Sequence, residues 1–395
     1  MCNESMHRRT FVLGTSAAFL SQAAPSDQFT LGVIGAGGRG QLLMRTFAEV
    51  APVRFEGVCD VYEPNLESGL SLAKGSAKAY RNYKALLDNQ SIQAVIIATP
   101  EHWHHQMLLD ALSAGKDVYI EKPLCRTPEQ GVELMKAARN SRSIVQVGMQ
   151  RRSYDLYLKA RDVHAAGTLG AVRLVRSWWI NYSLNQRPAE KLDGLLDWEQ
   201  WQGPATRRPF DPNRFRNWRG YKDYSGGIVA DQGAHIYDGI HLIRGVGFPA
   251  AVNASGGMVH APKVDTPETV VVAAEYPEDF LGVFTINYAG MHYPTKLDQL
   301  NQFDGEAARM DVGREFLNVY LQAEPEKPAL SAIGSFSSAT TAHIRNFLDC
   351  VQTRREPNGT VEKGFQAALV IQMANLSMDT GRRIRWNHQA QRIEV

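Results

Sequence analysis

Cysteine is scarce in this chain: four residues in 395, at Cys2, Cys59, Cys125 and Cys350. Loss of an N-terminal leader would leave three, an odd and scattered set that argues against a disulfide framework and matches no metal-ligand spacing. They are expected to be buried thiols. A charge excess of either sign is also missing, since 43 Lys+Arg against 41 Asp+Glu leaves only +2. That is too slight to draw nucleic acid or a polyanion. After the first 28 residues no apolar run approaches the roughly 20 residues of a membrane span, so no stable membrane anchor is expected. Internal repeats and low-complexity linkers are lacking too. What remains, 44% hydrophobic and 21% charged, is an ordinary globular composition, long enough for two domains.

The N-terminus has the order basic, apolar, small. Arg8 and Arg9 precede Phe11, the run Phe11 to Leu20 is mildly apolar, and Ser21-Gln22-Ala23-Ala24 suits a signal peptidase. Residues 1–28 therefore read as a twin-arginine signal, with the export machinery as a partner and a periplasmic or secreted location. Such substrates fold before export, so their fold need not depend on oxidation.

Residues 29–150 read as a Rossmann domain with a doubly wound parallel sheet. Phe29 to Ile34 is a β-rich run that ends in Gly35-Ala36-Gly37-Gly38-Arg39-Gly40, and Gln41 to Val50 follows with helical spacing. Gly35 and Gly37 let the backbone turn and approach a pyrophosphate, and the helix start offers amides and a positive dipole end. A second strand, Val53 to Cys59, ends in Asp60, 25 residues after Gly35, where a carboxylate can bond adenosine ribose hydroxyls. Asp60 repels a 2′-phosphate and favours NAD; Arg39 can offset that repulsion and admit NADP. Strand and helix go on alternating: Ala94 to Ala98, His104 to Ala114, Asp117 to Ile120, Pro128 to Asn140, Ser143 to Gly148.

Two strand ends carry unusual chemistry, Thr99-Pro100-Glu101-His102-Trp103-His104-His105 and Glu121-Lys122-Pro123. The histidines tempt a metal reading. Adjacent residues at a helix start diverge, however, and no carboxylate or cysteine joins them at a ligand spacing, so no metal is expected. Lys122 taken alone reads equally well as a surface lysine.

Glu121-Lys122-Pro123, placed after the glycine fingerprint and the Thr99-Pro100 strand end, resembles the Gfo/Idh/MocA oxidoreductases. Gly226-Gly227-Ile228-Val229-Ala230-Asp231-Gln232-Gly233-Ala234-His235 is similar to that family's downstream motif. The resemblance spans about residues 30 to 385. It implies an α/β domain at 151–339 with a large, open, mostly antiparallel sheet, helices at 340–385 that pack back on the first domain, and a homo-oligomer. It also implies that Glu121 contacts the nicotinamide ribose and that Thr99 and His104 lie beside the cofactor. The residues agree with it. Asp231 and His235 are one helical turn apart and project together. His235 can take a hydroxyl proton near neutral pH while Lys122 steadies the oxygen as an alkoxide, with Asp231 orienting the hydroxyl or the base. Which of Lys122 and His235 is the principal base stays open, and the bland reading of His235 is a core histidine among Ile236, Ile240 and Leu242.

Five of the seven tryptophans fall between Trp178 and Trp218, interleaved with Tyr182, Tyr221, Tyr224, Arg214, Arg216 and Arg219. Flat rings stack on pyranose C–H faces while arginine and tyrosine bond hydroxyls, which suggests a carbohydrate substrate. Trp218, Tyr182 and Tyr221 are candidate contacts, as is Arg152 just after the last nucleotide-domain strand; Arg151 and Arg152 read equally well as exposed. The leading expectation is an exported oxidoreductase of sugars that carries a tightly bound NAD. Its rivals are an NAD-dependent glycosidase or lyase working through a transient keto-sugar, and a noncatalytic NAD-binding module.

Overall fold

The apolar runs of the first 150 residues are short and uniformly buried, the pattern of strands covered on both faces. In the computed structural model, which describes residues 28–75, 77–180, 190–257, 264–288, 290, 292–295 and 297–394, they form one parallel sheet. Its strands are β1 (Phe29–Ile34), β2 (Val53–Cys59), β3 (Lys78–Tyr80), β4 (Ala94–Ile97), β5 (Asp117–Ile120) and β6 (Val145–Val147), in the order β3-β2-β1-β4-β5-β6. Five helices connect them: α1 (Gly38–Val50), α2 (Glu63–Leu72), α3 (Tyr83–Leu87), α4 (His104–Ser113) and α5 (Pro128–Asn140). Strand order reverses between β1 and β4, and ligands of such sheets bind at the carboxyl ends beside that reversal. Gly35, Asp60 and Glu121-Lys122 directly follow strands at that edge, and Thr99 comes one residue later after β4. The twin-arginine leader, Arg8 and Arg9 included, and Tyr182 lie outside the described residues.

After α6 (Asp155–Ala165) the chain builds a second sheet, from β7 (Val172–Trp179) onward. Two short helices, α7 (Trp198–Gln202) and α8 (Pro212–Arg216), precede the long α9 (Gly227–Arg244). Then come β8 (Ala251–Gly256), β9 (Thr269–Tyr276), β10 (Phe280–Asn287), β11 (Gln299–Gly305), β12 (Ala308–Gly313), β13 (Phe316–Leu321) and β14 (Leu330–Ile333). Helices α10 (Phe336–Thr353) and α11 (Val361–Thr380) and strands β15 (Ile384–Asn387) and β16 (Arg392–Glu394) finish the fold. The sheet order is β14-β13-β12-β11-β7-β10-β9-β8-β15-β16, antiparallel except between β7 and β10. Burial alternates along β9 and β10: Val272 and Phe284 face the helices, while Val271, Leu281 and Thr285 are exposed on the other face. The expected open, mostly antiparallel sheet is present.

The two layers share their cores. Ile344, Phe347 and Leu348 of α10 pack against the nucleotide domain, with Phe347 edge-on to Phe47 at 6.1 Å and to Tyr119 at 5.7 Å. Most of α9 is buried; Asp231 and His235 are among its few residues open to the inter-domain cleft. No helix among the described residues is long and apolar enough to cross a membrane.

Candidate active site

A cleft of about 490 Å³ runs between the carboxyl edge of the parallel sheet and α9. Its floor is the glycine turn. Gly35 has φ +89°, and a Cβ there would lie 2.8 Å from the Ala98 carbonyl carbon. A Cβ on Gly40 would lie 2.0 Å from the Gly35 oxygen, so Gly40 sits beneath the turn and lets α1 approach it. Gly38 faces open space, and α1, capped by Gly37, has no side-chain cap and no acidic residue in its first turn. Its leading amides and the positive end of its dipole are therefore presented bare to the cleft, as a pyrophosphate requires.

Asp60 closes the end of the cleft beside β2. Its carboxylate accepts from the Ala36 amide at 2.8 Å and the Tyr62 amide at 2.9 Å, which ties the glycine turn to the end of β2. Burial pushes its carboxyl up, and the amide bonds oppose this. Arg39 is turned the other way, its Nε donating to Glu121 Oε1 at 2.7 Å. The arginine that could have offset Asp60 is thus engaged at the β5 end. Bare amides, a dipole end and a carboxylate at the end of β2 fit a dinucleotide.

At the far end of the cleft Lys122 faces α9. Its Nζ donates to Asp231 Oδ1 at 2.7 Å and to the Asp231 carbonyl at 2.9 Å. Arg219, lying over Trp218 at 4.3 Å, approaches the same carboxylate at 3.6 Å. Burial works to raise the Asp231 carboxyl, but Lys122 and Arg219 prevail and hold it well below the usual carboxylate range. His235, one turn further, is pushed well below its ordinary value by burial first and then by Lys122 and Arg151, against a smaller pull from Asp231. It is a neutral imidazole at physiological pH, able to accept a proton. Arg151 supports it from behind, buried, with Nη1 donating to the Tyr157 hydroxyl at 2.9 Å and lying 3.4 Å from the His235 carbonyl.

Gly35, Gly37, Gly38, Arg39, Asp60, Thr99, His104, Glu121, Lys122, Asp231, His235 and Trp218 all line this one cleft. Two candidate substrate residues do not. Arg152 is buried in an ion pair with Asp238, Nε to Oδ1 at 2.5 Å, and its neighbour Gln150 takes the place at the cleft. Tyr221 is buried against Trp201 and Tyr224, with the Arg214 guanidinium 4.5 Å over its ring. Much of the tryptophan cluster is thus a small core of its own. The three histidines diverge: His102 Nε2 meets the Trp201 carbonyl at 2.9 Å, His104 bridges the Pro123 and Thr99 carbonyls, and His105 pairs with Glu133.

Glu101 is a residue that sequence reasoning passed over. Buried in the short helical turn that follows β4, its carboxylate accepts from Ser225 Oγ at 2.7 Å and from the Gly226 amide at 2.9 Å, which pins the start of α9 to the nucleotide domain. An acidic residue next to Thr99-Pro100 was the available signal. Its partners, over 120 residues away, were not legible.

The profile of an oxidoreductase family, NAD-binding Rossmann fold, the Gfo/Idh/MocA family, matches residues 29–149, and that of the family's C-terminal alpha/beta domain matches residues 202–385. An uncharacterized oxidoreductase, YrbE, of Bacillus subtilis is 22% identical over 92% of this chain and 98% of its own. Inositol 2-dehydrogenase 2 of Saccharopolyspora erythraea is 32% identical, over 37% of this chain and 44% of its own. The chain spans about half the length of several such relatives, 48% of an uncharacterized Synechocystis oxidoreductase among them. Among solved structures, levoglucosan dehydrogenase in complex with NADH and levoglucosan superposes with a TM-score of 0.71 at 18% identity, covering 91% of this chain and 99% of that one. Aldose-aldose oxidoreductase from Caulobacter crescentus, complexed with glycerol, does so with 0.69 at 18% identity, with the same coverage.

Proposed function

Because this chain belongs to the Gfo/Idh/MocA oxidoreductases and has their NAD-binding Rossmann domain, we propose that it oxidises a secondary or anomeric alcohol of a sugar or sugar derivative. The observation that carries this reading is the Lys122, Asp231 and His235 constellation at the end of a cleft continuous with the nucleotide cradle. The names of its relatives point the same way, toward inositol, levoglucosan and aldoses.

Bound NAD supplies a hydride acceptor. The protein's own residues handle the proton and the charge. His235, held neutral by burial and by Lys122, accepts the hydroxyl proton. Lys122, fixed by its two bonds to Asp231, presents Nζ to the oxygen as negative charge develops there. Asp231 is thereby the positioning residue for Lys122, and its depressed carboxyl keeps that anchor ionised. This division of labour favours His235 as the base. Asp60 favours NAD over NADP, since Arg39 is engaged with Glu121.

The leader Arg8-Arg9-Phe11 supports export through the twin-arginine pathway to the periplasm or beyond. There a captive cofactor is needed, reset by reduction of a second carbonyl compound. The exposed face of the large sheet suits self-association into a homo-oligomer. The test is to purify the mature protein, denature it and assay released nicotinamide, then offer intact protein sugars and aryl glycosides with no added NAD. Retained cofactor reduced by a sugar supports the reading. Release of an aglycone at constant redox state would replace it with a redox-neutral glycosidase, and activity only with added NAD would sink the captive cofactor.

A further inference from the structure

The cleft has a roof that the nucleotide domain does not supply. Ahead of α9, from residue 193 on, the chain lies across the first domain. Residues 193–197 run antiparallel to 61–63: the Glu63 amide donates to the Leu195 carbonyl at 2.9 Å, the Asp197 amide to the Val61 carbonyl at 3.0 Å, and the Tyr62 hydroxyl to the Asp193 carbonyl at 2.7 Å. A second anchor follows at Trp201, whose carbonyl accepts from Trp103 Nε1 at 2.9 Å. The next turn is held tight against Trp103. Gly203 has φ +49°, and a Cβ there would lie 2.1 Å from the Trp103 ring. On the return leg Phe215 packs edge-on to Tyr62 at 5.0 Å, and Arg216 Nη2 donates to the Tyr62 hydroxyl at 3.1 Å with its guanidinium 5.4 Å over that ring.

Both anchors fall on turns that follow strands at the nucleotide edge, one after β2 beside Asp60 and one after β4 beside Thr99. The span between them is the adenosine end of the cleft. Val61, Tyr83 and Trp103 line it from the nucleotide domain, and Trp201, Phe215 and Arg216 line it from above. Flat apolar rings on both sides suit a purine base, and a guanidinium suits the polar ribose and phosphate side.

We propose that residues 193–218 form a clamp, contributed by the second domain, over the adenosine half of the bound dinucleotide, with Trp201 and Phe215 facing the base and Arg216 closing the polar side. This rests on the reading of the cleft as an NAD site and gives a physical cause for cofactor retention. A bound nucleotide leaves only when the strap lifts, and lifting breaks the bonds to Val61, Tyr62, Glu63 and Trp103 together.

Arg216 is exposed, so its loss leaves the core intact. The experiment compares full-length wild type with Arg216→Ala and with Tyr62→Phe, which removes the hydroxyl shared by Asp193 and Arg216. The readouts are the NADH dissociation rate in a chase and the affinities for AMP and nicotinamide mononucleotide. The clamp predicts dissociation at least about 10-fold faster in Arg216→Ala, weaker AMP binding and unchanged mononucleotide binding, with an unaltered melting temperature of the cofactor-free protein. Unchanged dissociation in both variants overturns it, as does equal weakening of the two fragments. Wild type that binds no dinucleotide at all overturns instead the reading on which the clamp rests.

Discussion

Replacing Lys122 by methionine keeps most of the side chain's volume and removes its charge. Two bonds to Asp231 go with it, between groups whose side chains are 12% and 14% exposed. Deleting one partner of a buried pair commonly costs about 3–5 kcal/mol. Arg219, 3.6 Å from the same carboxylate, compensates in part, so the stability loss should fall at or below the lower end of that range. Catalytic loss is a separate quantity. Without a donor at the developing alkoxide, turnover should fall on the order of 10²- to 10³-fold, with NAD still bound. The pH profile carries the sharper signature. Lys122 is the largest charge holding His235 down, after burial, so its removal lets the imidazole rise toward its ordinary value. The base is then lost to protonation at higher pH, and the acid limb of kcat/KM shifts upward. Single-turnover reduction of bound nicotinamide across pH, alongside a Lys122→Arg control that keeps the charge, measures both effects. Turnover within about threefold of wild type, or an acid limb that stays put in Lys122→Met, would refute the reasoning.

Other expectations follow from the same geometry. His235→Asn should retain NAD and lose about 10²- to 10⁴-fold in the hydride-transfer step, read by single-turnover absorbance; normal turnover would move the base elsewhere. Glu101→Gln should lower kcat more than it raises KM, because the start of α9 loses a charge-assisted tie to the nucleotide domain while the substrate-facing groups stay chemically intact; equal changes in both would point to a merely structural role. His102 and His241 are pushed down to about 3 and His343 to about 4, chiefly by burial. Their folded values lie below the unfolded one, so the unfolded state binds more protons as pH falls, and stability present above about pH 6.5 is lost progressively toward about pH 3. Thermal melts across that window check this, and His343→Gln should flatten the slope. Lysines in place of Arg8 and Arg9 should trap the protein in the cytoplasm, which cell fractionation would show; unaffected export would remove the twin-arginine reading.

The nucleotide domain was legible in sequence because its signals are local. The glycine turn and Asp60 each follow a strand directly, the helix start follows the glycine turn, and parallel connectivity then brings Thr99 and Lys122 to the same edge without further information. Asp231 and His235 were legible for a similar reason, since helical periodicity alone aims them together. Failures came where tertiary packing decides. Arg152 looked like a cleft residue, but Asp238 on α9 claims it, and the turn after β6 shows Gln150 instead. Tyr221 looked like a substrate contact, but it packs with Trp201 and Tyr224 in a satellite core. Glu101 and Arg216 gain their meaning from partners more than 100 residues away, Gly226 and Tyr62, which no local pattern announces.

The packing of α10 on the first sheet sets a timetable for synthesis. Phe347 and its neighbours complete the core around Phe47 and Tyr119, yet α10 ends about 200 residues after β6. At roughly 5–20 residues per second, the nucleotide domain waits on the order of 10 to 40 s, one apolar face uncovered, for its last piece to leave the ribosome. A domain that is first in the chain is therefore among the last to be finished, and a nascent chain cut short before α10 would leave an aggregation-prone fragment rather than a working half.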